Sequence, residues 1–194
     1  MKRVSFVFVL SLITNVLFAQ SGLSAGLKGG VNFSTITGEN ADQIYSNRTG
    51  FHVGAFANMR LQRFGLQPEV IFSSQGAEVP LTNSVEKFSY VNVPIMLKFY
   101  LTDFLNLQAG PQFGLMTSAV AENNGGNINV ESLYKESDWS LGLGVGLELP
   151  FGLNLEGRYN VGVTDINDSP DTTTALNNQV YQVSIGFRFF DLNK

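Results

Sequence analysis

Between residues 140 and 149 the chain reads SLGLGVGLEL. Leu141, Leu143, Val145, Leu147 and Leu149 take every second position, with Gly142, Gly144 and Gly146 between them. A helix would scatter the apolar side chains around its axis, and each glycine would cost it about 1 kcal/mol relative to alanine. A strand puts all five on one face and leaves the other almost bare backbone. The chain is therefore built of strands that are greasy on one side and nearly empty on the other.

The same period of two recurs along most of the sequence. It predicts strands at Ser24–Thr35, Thr49–Arg60, Phe64–Ser74, Phe88–Leu101, Phe104–Thr117, Asp138–Leu149, Leu153–Thr164 and Gln179–Phe190. One parity gathers the large apolar side chains, among them Leu27, Val31, Phe51, Val53, Val70, Ile95, Leu97, Leu107, Val161, Val183 and Ile185. The other gathers the charges Lys28, Arg60, Glu69, Lys98, Glu148, Glu156, Arg158 and Arg188, with Asp138 set apart at a strand mouth. His52, Asn32, Gln67, Asn92, Gln108, Gln112, Asn154, Asn160, Gln182, Ser184 and many glycines share that second parity.

The connections alternate in length. Leu61–Arg63, Thr102–Asp103 and Pro150–Gly152 are tight, whereas Ile36–Arg48, Gln75–Lys87, Ser118–Ser137 and Asp165–Asn178 are long and polar. Both termini fall at the short-turn end, and every strand is long enough to cross a bilayer, which takes about 9–11 residues. These features predict an all-β fold: an eight-stranded antiparallel up-and-down transmembrane β-barrel with short periplasmic turns and long extracellular loops. A soluble lipocalin-like carrier shares the alternation but turns its apolar side inward. Volume separates the two, because an eight-stranded lumen holds little more than the side chains that fill it. The glycine-rich parity then faces the lumen, and the leucines face acyl chains.

Composition agrees. Charged residues are 14% of the chain, against about 25% in ordinary soluble domains. A net charge of −4 gives no basic footprint for nucleic acid, and the lack of cysteine excludes disulfides and thiolate chemistry. Lys2 and Arg3 precede the apolar run VSFVFVLSLITNVLFA, so residues 1–19 read as a signal peptide and 20–194 as the barrel domain. The run is too short for a spanning helix, which needs about 20 residues. Localisation in the outer membrane of a Gram-negative bacterium follows, with outer-membrane lipids as the first partner.

The segments LQPEVIFSSQGAEV, YVNVPIMLKFYL, LNLQAGPQFGLMTS, DWSLGLGVGLEL, GLNLEGRYNVGVTDI and VYQVSIGFRF resemble the PorT-like outer-membrane β-barrel family. GLKGGVNFSTITG and TGFHVGAFANM extend the resemblance over almost all of the mature chain. It implies an outer-membrane barrel, and its namesake is linked to a protein-secretion and gliding system. SIGFRFF is similar to the aromatic-ended strand read by barrel-assembly machinery, although Asp191–Lys194 follow it. Pro68, Pro94 and Pro111 fall inside expected strands, where each removes a ladder donor, so bulges or kinks are expected there.

No catalytic, cofactor or metal site is predicted. The eight lumen charges read as a self-neutralising structural filling rather than a conduction path. His52 invites comparison with a small outer-membrane lipid-modifying enzyme, but no G-x-S-x-G elbow accompanies it. DINDSPD lacks the glycine and glutamate that a calcium loop requires. Acidic residues outnumber basic ones in the long loops, which are the expected contact surface for envelope protein partners.

Overall fold

A computed structural model describes residues 22–38, 41, 44–123, 126–166 and 176–192. The expected signal peptide and most of the DINDSPD segment lie outside the described residues. Nine strands are described: β1 (Gly22–Gly38), β2 (Ser46–Leu61), β3 (Phe64–Val79), β4 (Ser84–Tyr100), β5 (Leu105–Asn123), β6 (Gly126–Asn129), β7 (Ser137–Glu148), β8 (Leu153–Gly162) and β9 (Leu176–Asp191). Eight pair in the order β4-β3-β2-β1-β9-β8-β7-β5, and β4 pairs with β5 to close the ring. Every pairing is antiparallel, including β1 with β9, which joins the two ends of the chain. Closure leaves the wall with no free edge, the condition for a sheet to cross a bilayer.

The orientation is settled by exposure. Leu143 and Val145 are 48% and 52% exposed, whereas Glu156 and Arg158 are 8% and 4% exposed. Leu27, Val53, Val70, Leu97, Val183 and Ile185 are likewise outward. A lipocalin-like barrel would show the reverse, so that reading is overturned. On the outer face, cross-strand aromatic pairs form at Phe64–Phe99, Phe113–Trp139 and Tyr159–Tyr181, with ring centroids 5.4, 5.1 and 4.7 Å apart.

The glycines of SLGLGVGLEL make room for lumen side chains. A Cβ on Gly142 would lie 2.7 Å from Asn160 Oδ1, and one on Gly144 3.4 Å from Arg158 Cβ. One on Gly146 would lie 2.5 Å from Gln108 Nε2. The bare face is the floor under the polar filling.

Three expectations change. The strands run further outward than the alternation indicates: β3 and β4 continue to Val79 and Ser84, and β5 continues to Asn123, where it pairs with the extra strand β6. These extensions lack a regular apolar alternation, and part of their inner side is covered by the loops, with Ala77, Phe88 and Ala119 buried. The expected proline bulges are absent. Pairing lapses beside Pro68 and Pro94, yet Pro68↔Ile95 resumes at Ile71↔Asn92 and Pro94↔Gln112 at Leu97↔Ala109 in the same register. Register shifts occur elsewhere, at Ala25/Gly26, Asn47/His52 and Ser89/Tyr90. The inward parity is also less purely polar than read, for Phe56, Ile71, Tyr90, Met96 and Tyr100 are all buried within it.

Candidate functional site

Among the described residues, the lumen is where charge is concentrated away from solvent. Alternation brings Lys28 on β1, Glu69 on β3, Lys98 on β4, Glu148 on β7, Glu156 and Arg158 on β8 and Arg188 on β9 to the inner face. β3 and β8 stand opposite each other in the ring. Arg158 nevertheless bridges to Glu69 through both guanidinium nitrogens, Nη1 to Oε2 at 3.0 Å and Nη2 to Oε1 at 2.7 Å. Lys28 Nζ donates to Glu69 Oε2 at 3.1 Å and also to Glu156 Oε2. Lys98 Nζ reaches Glu148 Oε1 at 3.3 Å and Glu156 Oε1 at 3.5 Å.

Neutral groups add to the shell, although Arg158 Nε and Gln67 Oε1 are buried without partners. Gln67 Nε2 donates to Glu69 Oε1 at 2.8 Å, and Tyr100 Oη donates to Glu148 Oε1 at 2.7 Å. Arg158 Nη2 also donates to Gln108 Oε1 at 3.1 Å. Lone buried charges cost several kcal/mol each, and only close pairing with full hydrogen bonding offsets this. At this level the side chains meet across the full width of the ring.

The eight charges do not form one set. Arg188 sits toward the periplasmic end, shared between Glu148 and Asp191 at 3.3 and 3.4 Å. Arg60 stands apart from the network: its guanidinium pairs with the exposed Asp103 at 3.2 Å and lies 3.9 Å over the Tyr100 ring. Parity gives the face of a side chain but not its depth, and Arg60 lies beside the periplasmic turns. Asp138, set apart in the sequence, is in fact inward and 5% exposed.

His52 lies further toward the outer end. Its Nδ1 is 2.7 Å from Asn32 Oδ1 and its Nε2 2.8 Å from Ser184 Oγ. Asn32 Nδ2 donates to Phe51 O, Ser73 Oγ and Ser74 O, while its Oδ1 also accepts from Gln182 Nε2 at 3.0 Å. With the Asn32 amide so fixed, Nδ1 of His52 donates and Nε2 accepts the Ser184 hydroxyl. The order Ser–His–Asn is that of a hydrolytic triad. All three side chains are buried, however, and the Asn32 and Gln182 contacts tie them into the wall.

The outer mouth carries an apolar cluster that sequence periodicity missed. Ile36, Ala77, Phe88, Tyr90 and Ala119 from the strands pack with Tyr134 and Ile166 from the loops. Tyr134 meets Phe88 edge-on at 4.7 Å and donates from Oη to Glu86 Oε2 at 2.7 Å. Burial, and then the Glu86 carboxylate, hold the Tyr134 hydroxyl above its usual pKa. Among the described residues no group of three or more His, Cys, Asp or Glu side chains is placed to hold a metal.

A closed antiparallel ring, apolar outside and charged within, defines an integral outer-membrane β-barrel. Residues 18–168 match the family described as outer membrane protein beta-barrel domain, and the chain belongs to that family. Among curated proteins, none matches this sequence. Among solved structures it is similar to Ail, the attachment invasion locus protein of Yersinia pestis, with TM-score 0.53 and 14% identity, covering 88% of this chain and 99% of that one. It is similar also to Neisserial surface protein A, with TM-score 0.57 and 12% identity, covering 86% and 99%. At such identities the likeness is one of fold. Localisation in the outer membrane of Gram-negative bacteria follows from the family and the fold together.

Proposed function

We propose that this chain is a non-conducting, non-enzymatic barrel that serves as a structural and interaction scaffold and presents its loops to envelope protein partners. The two-point pair between Arg158 and Glu69 carries the reading, since a bridge between opposite strands leaves the middle of the lumen to side chains. Barrels of eight strands are filled, and aqueous channels come with about 16. Lys28, Lys98, Glu148, Glu156 and Arg188 then serve to hold the wall rather than to pass ions. The PorT-like resemblance adds participation in protein secretion as the process to test first. Export rests on residues 1–19 acting as a cleaved signal peptide, and insertion on barrel-assembly machinery.

Purified chain added to planar lipid bilayers tests the reading. The expected record has no discrete conductance steps under applied voltage. Regular single-channel steps would contradict it. Labelling of Ser184 by a fluorophosphonate probe would contradict the non-enzymatic part. For partners, a photo-crosslinker at Ser132 or Leu81 in living cells is expected to trap an envelope protein, and trapping of lipopolysaccharide alone would argue against a protein partner.

A further inference from the structure

Asp138 is the buried charge that the lumen network does not use. It opens β7 at the outer end of the lumen and is 5% exposed. Among the described residues no hydrogen bond or ion pair reaches its carboxylate. The lumen cations Lys98 and Arg158 are engaged with Glu148, Glu156 and Glu69. An uncompensated buried carboxylate costs several kcal/mol unless it is protonated or meets a counter-charge from outside the chain's own side chains.

The surroundings indicate what that is. Across the ladder from Asp138 is Gly114, and across from Gly114 is Asn92 on β4. A Cβ on Gly114 would run into Asp138 Oδ1 and lie 2.9 Å from Asn92 Oδ1 and 3.4 Å from the Tyr90 ring. Glycine thus lets the Asp138 and Asn92 side chains close over it from the flanking strands with their Oδ1 atoms converging, while Asn92 Nδ2 is buried without a partner. One rung further in, Gln112 and Ser140 face each other, and Gln112 Oε1 and Ser140 Oγ are buried without partners. Asn160 Oδ1, leaning over Gly142, is also unpartnered. Four of these five oxygens are neutral, one is anionic, and among the described residues none accepts a hydrogen bond.

We infer that this cluster of oxygens binds a hydrated hard cation of the calcium class, with Asp138 and Asn92 as direct ligands and Gln112 and Ser140 holding its water. Calcium takes 6–8 oxygen ligands in flexible geometry and accepts amide oxygens and water beside a carboxylate. The ion enters from the outer medium. Glu131 and Glu136 border a cleft of about 370 Å³ with Met116, Thr117 and Tyr134 on that rim, and Glu136 lies two residues before Asp138. The bound charge clamps β4, β5 and β7 just beneath the apolar mouth cluster.

Trp139, the sole tryptophan of the chain, adjoins the site and serves as a built-in sensitiser. Terbium added to the refolded full chain in detergent is expected to give saturable emission on tryptophan excitation, displaced by calcium. Asp138→Asn is expected to weaken that binding at least tenfold and to abolish the rise in unfolding temperature with calcium. Asn92→Asp, which adds a second carboxylate, is expected to tighten binding about tenfold. Terbium emission that is absent in the parent chain, or that survives Asp138→Asn as binding to acidic loops would, overturns the inference. So does an Asn92→Asp variant destabilised equally with and without calcium, the behaviour of an amide that simply donates to Asp138. The Asn92→Asp arm keeps the test decisive if Asp138→Asn does not fold.

Discussion

Arg158 on β8 and Glu69 on β3 meet in a two-point ion pair, 3.0 and 2.7 Å long, between strands on opposite sides of the ring. Removing one partner leaves the other charged and buried, which costs about 3–5 kcal/mol. Arg158→Met is therefore expected to lower the unfolding free energy in urea by about that much. Glu69→Leu combined with Arg158→Met is expected to recover most of the loss, because Lys28 keeps Glu156 and Lys98 keeps Glu148. Equal losses in single and double variants would refute the coupling.

Arg60 offers a contrast. Its partner Asp103 is fully in solvent, where ion pairs contribute little. Arg60→Gln is expected to unfold at the same urea concentration as the parent chain, within error. A loss as large as that of Arg158→Met would place Arg60 in the buried network after all.

Neighbouring residues on β7 face opposite environments. Val145→Lys puts a charge into hydrocarbon and is expected to cost about 2–4 kcal/mol when the barrel is refolded into vesicles. Gly144→Val acts from the other face: its Cβ would lie 2.7 Å from Gly157 O and crowd Arg158. It is expected to cut the refolded fraction in both vesicles and detergent, read as loss of the heat-modifiable band on a gel.

At the mouth, Tyr134 ties a loop to β4 through Phe88 and Glu86. Tyr134→Ala removes both contacts and is expected to cost the cluster about 3 kcal/mol. Trypsin should then cleave after Lys135 faster, with the lower half of the barrel intact. Unchanged cleavage would mean that Ile166 and Phe88 hold the loop without it.

The wall was readable because lipid on one side and a narrow lumen on the other impose a strict period of two. Lys28, Glu69 and Arg158 were assigned to the lumen on parity alone. Their pairing was not legible, since opposite strands are joined by closure and shear rather than by sequence distance. Arg60 was grouped with them because parity carries no depth. The outward extension of β3, β4 and β5 is not legible because residues such as Gln75–Val79 show no period-two apolar side, Gly76 and Ala77 being buried in succession. Ile36, Phe88, Tyr90 and Tyr134 were hidden for a related reason: a mouth cluster needs apolar groups pointing inward, against the rule that holds lower down. Asp138 reads in sequence as a charge at a strand mouth, and only its burial marks it as more.

Trp139 gives the most direct test of which side of the wall meets lipid, because it is the chain's single tryptophan, half exposed, on the leucine-bearing face. The barrel is refolded into vesicles whose phospholipids carry bromine on the acyl chains, and its fluorescence is compared with that in plain lipid. Strong quenching by the brominated chains, with protection from iodide in the water, is the expected result. Full emission in brominated lipid together with quenching by iodide would contradict the outward orientation on which every other assignment rests.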